Sequence, residues 1–79
     1  MKSPDEVYLC NVMANVLELS QVLPDDNFFE LGGHSLLAVL LTDQILAEAD
    51  VRISLRELFD APTPASLALI IQQKSKNSA

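Results

Sequence analysis

Asp26-Asn27-Phe28-Phe29-Glu30-Leu31-Gly32-Gly33-His34-Ser35-Leu36-Leu37-Ala38-Val39-Leu40-Leu41 is the stretch that decides the fold. Its first half has no helical period. Asp, Asn and a pair of glycines are turn formers, yet Phe28, Phe29 and Leu31 stand among them. From Ser35 onward the residues are apolar nearly all round, and a helix is expected from there to about Ala49. The segment from Ser20 to His34 is then a fifteen-residue loop carrying three large apolar side chains. Such a loop must be pinned to a core, and loops this long in compact domains are usually functional.

Helical signals flank this stretch on both sides. Upstream, Ser3-Pro4-Asp5-Glu6 offers a capping Ser, a first-turn Pro and a capping-box Glu, so a helix is expected from about Pro4 to Leu19. Val7, Cys10, Met13 and Leu17 recur at helical spacing, and Leu9, Val12 and Val16 widen that stripe. Within the second helix, Leu37 is taken as the centre of the buried face. Ala38, Leu41, Ile45 and Glu48 then lie within about a right angle of it, and Leu36, Val39, Leu40 and Asp43 point away.

Downstream, Ser54 and Glu57 form a second capping-box pattern for a short helix over Leu55 to Phe59. Ala61-Pro62 ends it, and Thr63-Pro64 starts a last helix with Leu67, Ile70 and Ile71 as its apolar stripe. The expected fold is all-α: a four-helix bundle of three longer helices and a short third one, with a long ordered loop between helices one and two. Residues 4–73 form the domain, and residues 74–79 read as a flexible tail or linker remnant.

Bulk composition narrows the function. The chain has 79 residues, room for one domain, and is 49% apolar, too much for a disordered segment. Cys10 is the single cysteine and His34 the single histidine, so neither a disulfide nor a zinc set can form within one chain. Cys10 reads first as a small core residue, and its free thiol suits a reducing compartment. No signal-peptide pattern opens the sequence, and Leu36 to Leu41 is too short to span a membrane. The expectation is a cytoplasmic monomer. A formal charge of −6, from 11 acids against 5 bases, argues against nucleic acid and favours partners with basic surfaces.

The chemistry concentrates at Ser35. The glycines allow a tight turn and remove shielding side chains. Ser35 falls at or near the first position of a helix, where free N–H groups and the dipole favour an anion. A simple N-cap role is the competing reading, and it leaves the paired glycines and the outward apolar residues unexplained. A hydrolase nucleophile fits poorly. Gly33-His34-Ser35 lacks the closing glycine of a nucleophile elbow, position 37 being Leu. His34 is adjacent in sequence, not placed as a base.

Phe28-Phe29-Glu30-Leu31-Gly32-Gly33-His34-Ser35-Leu36-Leu37-Ala38 resembles the core motif of phosphopantetheine-binding carrier proteins. It looks most like the peptidyl carrier, or thiolation, domains of nonribosomal peptide synthetases. Leu58-Phe59 followed by Ala61-Pro62-Thr63 agrees with that family's third helix and the turn into its fourth. The likeness runs from about Asp5 to Gln73.

The resemblance implies that Ser35 receives a 4'-phosphopantetheine arm from coenzyme A by the action of a phosphopantetheinyl transferase. The arm's thiol would carry an aminoacyl, peptidyl or other acyl group as a thioester. An adenylation enzyme would load it, and condensation, tailoring or thioesterase partners would act on it. The carrier itself would have no catalytic residues, no metal and no membrane or nucleic-acid partner. Gly32 and Gly33 would shape the motif loop, and His34, Leu36, Val39 and Leu40 would meet partners. Leu40 departs from many relatives, which are charged or polar there. Two other readings stand beside this one: an acyl carrier of a polyketide synthase, and a helical interaction module without a prosthetic group. His34 leans away from fatty-acid carriers, which more often have Asp before the serine.

Overall fold

The computed structural model describes residues 5–77, with side chains through 74. Four helices follow in order: α1 (Glu6–Leu17), α2 (Ser35–Ala49), α3 (Leu55–Asp60) and α4 (Pro64–Asn77). There is no strand among the described residues. The all-α bundle with a short third helix is therefore as expected. No described helix is long and apolar enough to cross a membrane.

Local chemistry sets the helix ends. The N-cap of α1 is Asp5, whose Oδ1 accepts the Tyr8 N–H at 2.9 Å. The expected start at Pro4 is thus displaced to Glu6, and Ser3 and Pro4 lie outside the described residues. At its other end, Glu18 turns left-handed (φ 57°), and the Leu19 N–H reaches back to the Ala14 carbonyl at 2.9 Å. That closure ends α1 at Leu17, short of the expected Leu19. The Ser54–Glu57 capping box of α3 is present in both directions. Thr63 Oγ1 accepts the Ser66 N–H at 3.1 Å and so caps α4.

The core draws on every helix and on the long loop. Leu9 and Met13 of α1, Leu41 and Ile45 of α2, Leu58 of α3, Leu67 and Ile71 of α4, and Phe28 are all fully buried. Side-chain contacts in such a core depend on shape as much as on area, so each helix has one defined inward face. For α1 that face is Leu9, Val12 and Met13, while Val7, expected in the stripe, is 69% exposed and Cys10 is half-buried.

For α2 the inward face is Ala38, Leu41, Ile45 and Ala49. The expected centre, Leu37, is only half-buried, and Glu48 is exposed. Glu48 instead accepts the Tyr8 hydroxyl at 2.6 Å, tying the end of α2 to the start of α1. The two helices therefore run antiparallel.

α4 continues through Asn77, into the residues expected as a tail or linker remnant, and Lys74 Nζ lies 2.9 Å from Glu57 Oε2. Ser78 and Ala79 lie outside the described residues.

Candidate functional site

The loop between α1 and α2 is wired to the bundle at several points. Phe28 is fully buried, and its N–H donates to the Pro62 carbonyl at 2.9 Å. The Ala65 N–H donates to the Pro24 carbonyl at 3.1 Å. Val22 is buried as well. Fixing a backbone residue costs about 1–2 kcal/mol of entropy, and these anchors offset that cost along the loop.

Asx hydrogen bonds from Asp26 and Asn27 shape the turn that leads to Ser35. Asn27 Oδ1 accepts the N–H groups of Phe29 at 2.9 Å and Glu30 at 3.2 Å. Asp26 Oδ2 accepts the Leu23 N–H at 2.9 Å. Both residues reach their own backbone neighbours, the habit that makes Asx residues turn formers.

The two glycines do different work. Gly32 has φ +107°, a conformation that side-chain-bearing residues rarely adopt, and open space around it. Gly33 has no such backbone. It presses against Phe28, where an added Cβ would stand 2.7 Å from the carbonyl oxygen and closer still to the ring. The Gly33 N–H donates to that same carbonyl at 3.0 Å. One glycine is required by conformation, the other by a close approach.

This turn delivers His34 and Ser35 to the start of α2. His34 is the N-cap, in extended backbone, and makes no side-chain capping bond. Ser35 is the first helical residue and is exposed. No hydrogen bond engages its hydroxyl among the described residues. The simple N-cap role therefore falls to another residue. The first turn of α2 contains no acidic residue, although the chain carries a formal charge of −6. An anion at the start of α2 would therefore meet unpaired backbone N–H groups and the dipole, with no carboxylate in that turn to oppose it.

The other expected site residues lie along the outward side of the same helix. Leu36 is 64% exposed, Leu40 49% and Val39 38%. His34 is exposed, and Leu40 is on the surface as expected. Leu36, Val39 and Leu40 form an exposed apolar run beside the Ser35 hydroxyl.

Sequence reasoning missed two features. Phe59 of α3 is 56% exposed and stacks on Phe29, with ring centroids 4.8 Å apart and planes 15° apart. Phe29 also meets Phe28 edge-on at 5.3 Å. Only the pairing of a loop residue with a helix thirty positions later makes this visible. The second feature is Cys10, whose thiol is pushed up from its ordinary range by burial, and then by the nearby charges of Glu6 and Asp26. Among the described residues no three potential metal ligands converge.

Known proteins share this arrangement. The sequence profile described as "Phosphopantetheine attachment site" matches residues 7–71. A dimodular nonribosomal peptide synthase of Bacillus subtilis is 46% identical over 78 residues, spanning 99% of this chain and 3% of that protein's length. The chain thus spans a small part of the curated relatives it matches. A solution structure of an active-site mutant peptidyl carrier protein superposes with a TM-score of 0.85 at 33% identity, covering 95% of this chain and 83% of that one. A peptidyl carrier protein solved with the phosphopantetheine transferase Sfp and coenzyme A gives 0.83 at 33% identity, covering 92% and 95%.

Proposed function

We propose a carrier function for Ser35 from a plain premise: this chain belongs to the phosphopantetheine attachment site family. Ser35 is the residue that bears the 4'-phosphopantetheine arm. The observation that carries this reading is the exposed, unengaged Ser35 hydroxyl at the first position of α2, in a turn without acids. These residues fit the group. The hydroxyl can form the phosphoester, the free N–H groups at the helix start suit its anionic phosphate, and Gly32 leaves the approach open. The chemistry the arm supplies is a terminal thiol that takes up an acyl group as a thioester.

This chain's own part is to present and to protect. Carriers must leave their cargo intact between partners. Burial, then the charges of Glu6 and Asp26, push the Cys10 thiol up from its ordinary range, which disfavours its thiolate. The chain is a substrate of the transferase and has no catalysis of its own. Tethering raises the effective concentration of cargo at each partner site. Leu36, Val39 and Leu40, with His34, form the surface those partners read, and contacts exchanged in turn must be small and weak.

The assembly line is of the nonribosomal peptide type. An adenylation enzyme loads an aminoacyl group, and condensation, tailoring or thioesterase domains act on it. The names of the relatives support this reading over a polyketide line. A cytoplasmic setting agrees with the free thiol of Cys10.

The test is direct. The protein is incubated with coenzyme A, magnesium and a broad-range phosphopantetheinyl transferase, and its intact mass is measured. Wild type gains one phosphopantetheinyl group and Ser35→Ala gains none. No gain on wild type would leave an interaction module without a prosthetic group as the better reading, and an equal gain on the variant would overturn Ser35 as the attachment residue.

A further inference from the structure

We propose that Phe59 of α3 is a positioning residue for Ser35, holding the attachment turn in place through its stack on Phe29. The inference rests on the attachment reading above and adds a second clamp to it. Phe28 and Phe29 together hold both glycines of the turn. The Gly33 N–H donates to the Phe28 carbonyl at 3.0 Å, and the Gly32 N–H to the Phe29 carbonyl at 3.3 Å. Each Phe ring is fixed by something different. The Phe28 ring is fully buried in the core. The Phe29 ring is only partly buried, and its broad face is covered by Phe59 at 4.8 Å.

Phe59 is not held there by the core. It is 56% exposed, and its neighbour Leu58, fully buried, is what fastens α3 to the bundle. The Phe59 ring therefore contributes little to general packing and much to the one surface it covers. α3 itself is fixed by its capping box and by the Glu57–Lys74 pair. The turn after α3 also accepts the Phe28 N–H through Pro62. Phe29 through its ring and Phe28 through its backbone N–H are thus referred to α3 or the residues that follow it. A modifying enzyme needs the turn in one arrangement, and its apparent affinity falls with the fraction of time that arrangement is lost.

Amide hydrogen exchange of the unmodified protein tests this, alongside transferase kinetics. In Phe59→Ala the Gly33 amide exchanges about two- to tenfold faster, the range expected from losing one aromatic stack. The amides of Leu9 to Met13 in α1 keep their rates. The transferase KM for the carrier rises by a similar factor with kcat unchanged. Phe59→Tyr, which keeps a stacking ring, restores both readouts, and Phe59→Leu restores neither. An unchanged Gly33 rate overturns the proposal, because Phe59 would then act only as a surface contact. Equal acceleration in α1 overturns it in favour of general stability, and an unchanged KM shows that the turn's looseness does not reach Ser35. Failure of the attachment reading is distinct: wild type would gain no group at all.

Discussion

Gly33→Ala is the substitution for which the geometry gives the sharpest expectation. The new Cβ would meet the Phe28 carbonyl oxygen at 2.7 Å and the Phe28 ring more closely still. Ordinary contact begins at 3.4 Å, so the carbonyl alone must withdraw by about 0.7 Å. Neither neighbour can give easily. The ring is fully buried, and the carbonyl is the acceptor of the Gly33 N–H. Moving the ring displaces the core, and moving the carbonyl breaks the bond that closes the turn. Overpacking of this kind typically costs about 1–3 kcal/mol. Left-handed strain adds nothing, because only Gly32 has a positive φ in this turn.

The assay is thermal or urea unfolding followed by circular dichroism. For a domain of this size each kcal/mol lowers Tm by roughly 4–8 °C, so a fall of at least about 4 °C is expected. The double variant Gly33→Ala with Phe28→Leu separates a clash from a loss of flexibility. The smaller Leu leaves room for the methyl group, so the two costs together should be less than their sum. A Gly33→Ala Tm within about 2 °C of wild type, or strictly additive costs in the double variant, would refute the close-approach account.

Leu36→Ala should change stability by no more than about 0.5 kcal/mol while lowering partner turnover, whereas Leu41→Ala in the core should cost about 2–5 kcal/mol; urea unfolding of both, with a loading assay, decides it. Tyr8 is the chain's single tyrosine, so tyrosinate absorbance reports it alone. Burial first, then its hydrogen bond to Glu48 and that carboxylate's charge, push its pKa well above the ordinary value of 10.0. The unfolded chain therefore ionises first, and the stabilisation from Tyr8 is complete below pH 10 and lost as pH rises beyond it. Spectrophotometric titration should show little tyrosinate at pH 11 in the folded protein, and Glu48→Gln should bring the transition down.

Much of this was legible because local signals agreed. The Ser54–Glu57 box named the start of α3, and α2, expected from near Ser35 to about Ala49, spans those bounds. Elsewhere two good signals competed. Ser3 and Asp5 can each cap a first helix, and Asp5 is the residue that bonds the Tyr8 N–H. At the other end of α1 no glycine announced the stop; Glu18 takes the left-handed position itself. The polar residues after Gln73 read as a tail in the sequence, where the pairing of Lys74 with Glu57 on another helix is out of sight.

The sequence placed Ala38, Leu41 and Ile45 of α2 inward and Leu36, Val39, Leu40 and Asp43 outward, as the structure has them, and missed at the centre of the face, where Leu37 is half-buried and Glu48 exposed. A start that is apolar nearly all round blurs the phase, and the bundle sharpens it by burying Ala38, Leu41, Ile45 and Ala49. That rotation leaves Leu36, Val39 and Leu40 in water, an arrangement folding alone does not favour. Places where a sequence departs from its own folding rules tend to be functional. Here the departure begins at the residue after Ser35, and the helix that presents the hydroxyl also presents the apolar surface beside it. A helix that is apolar nearly all round at its start is therefore what is needed if one side must pack and the other must dock.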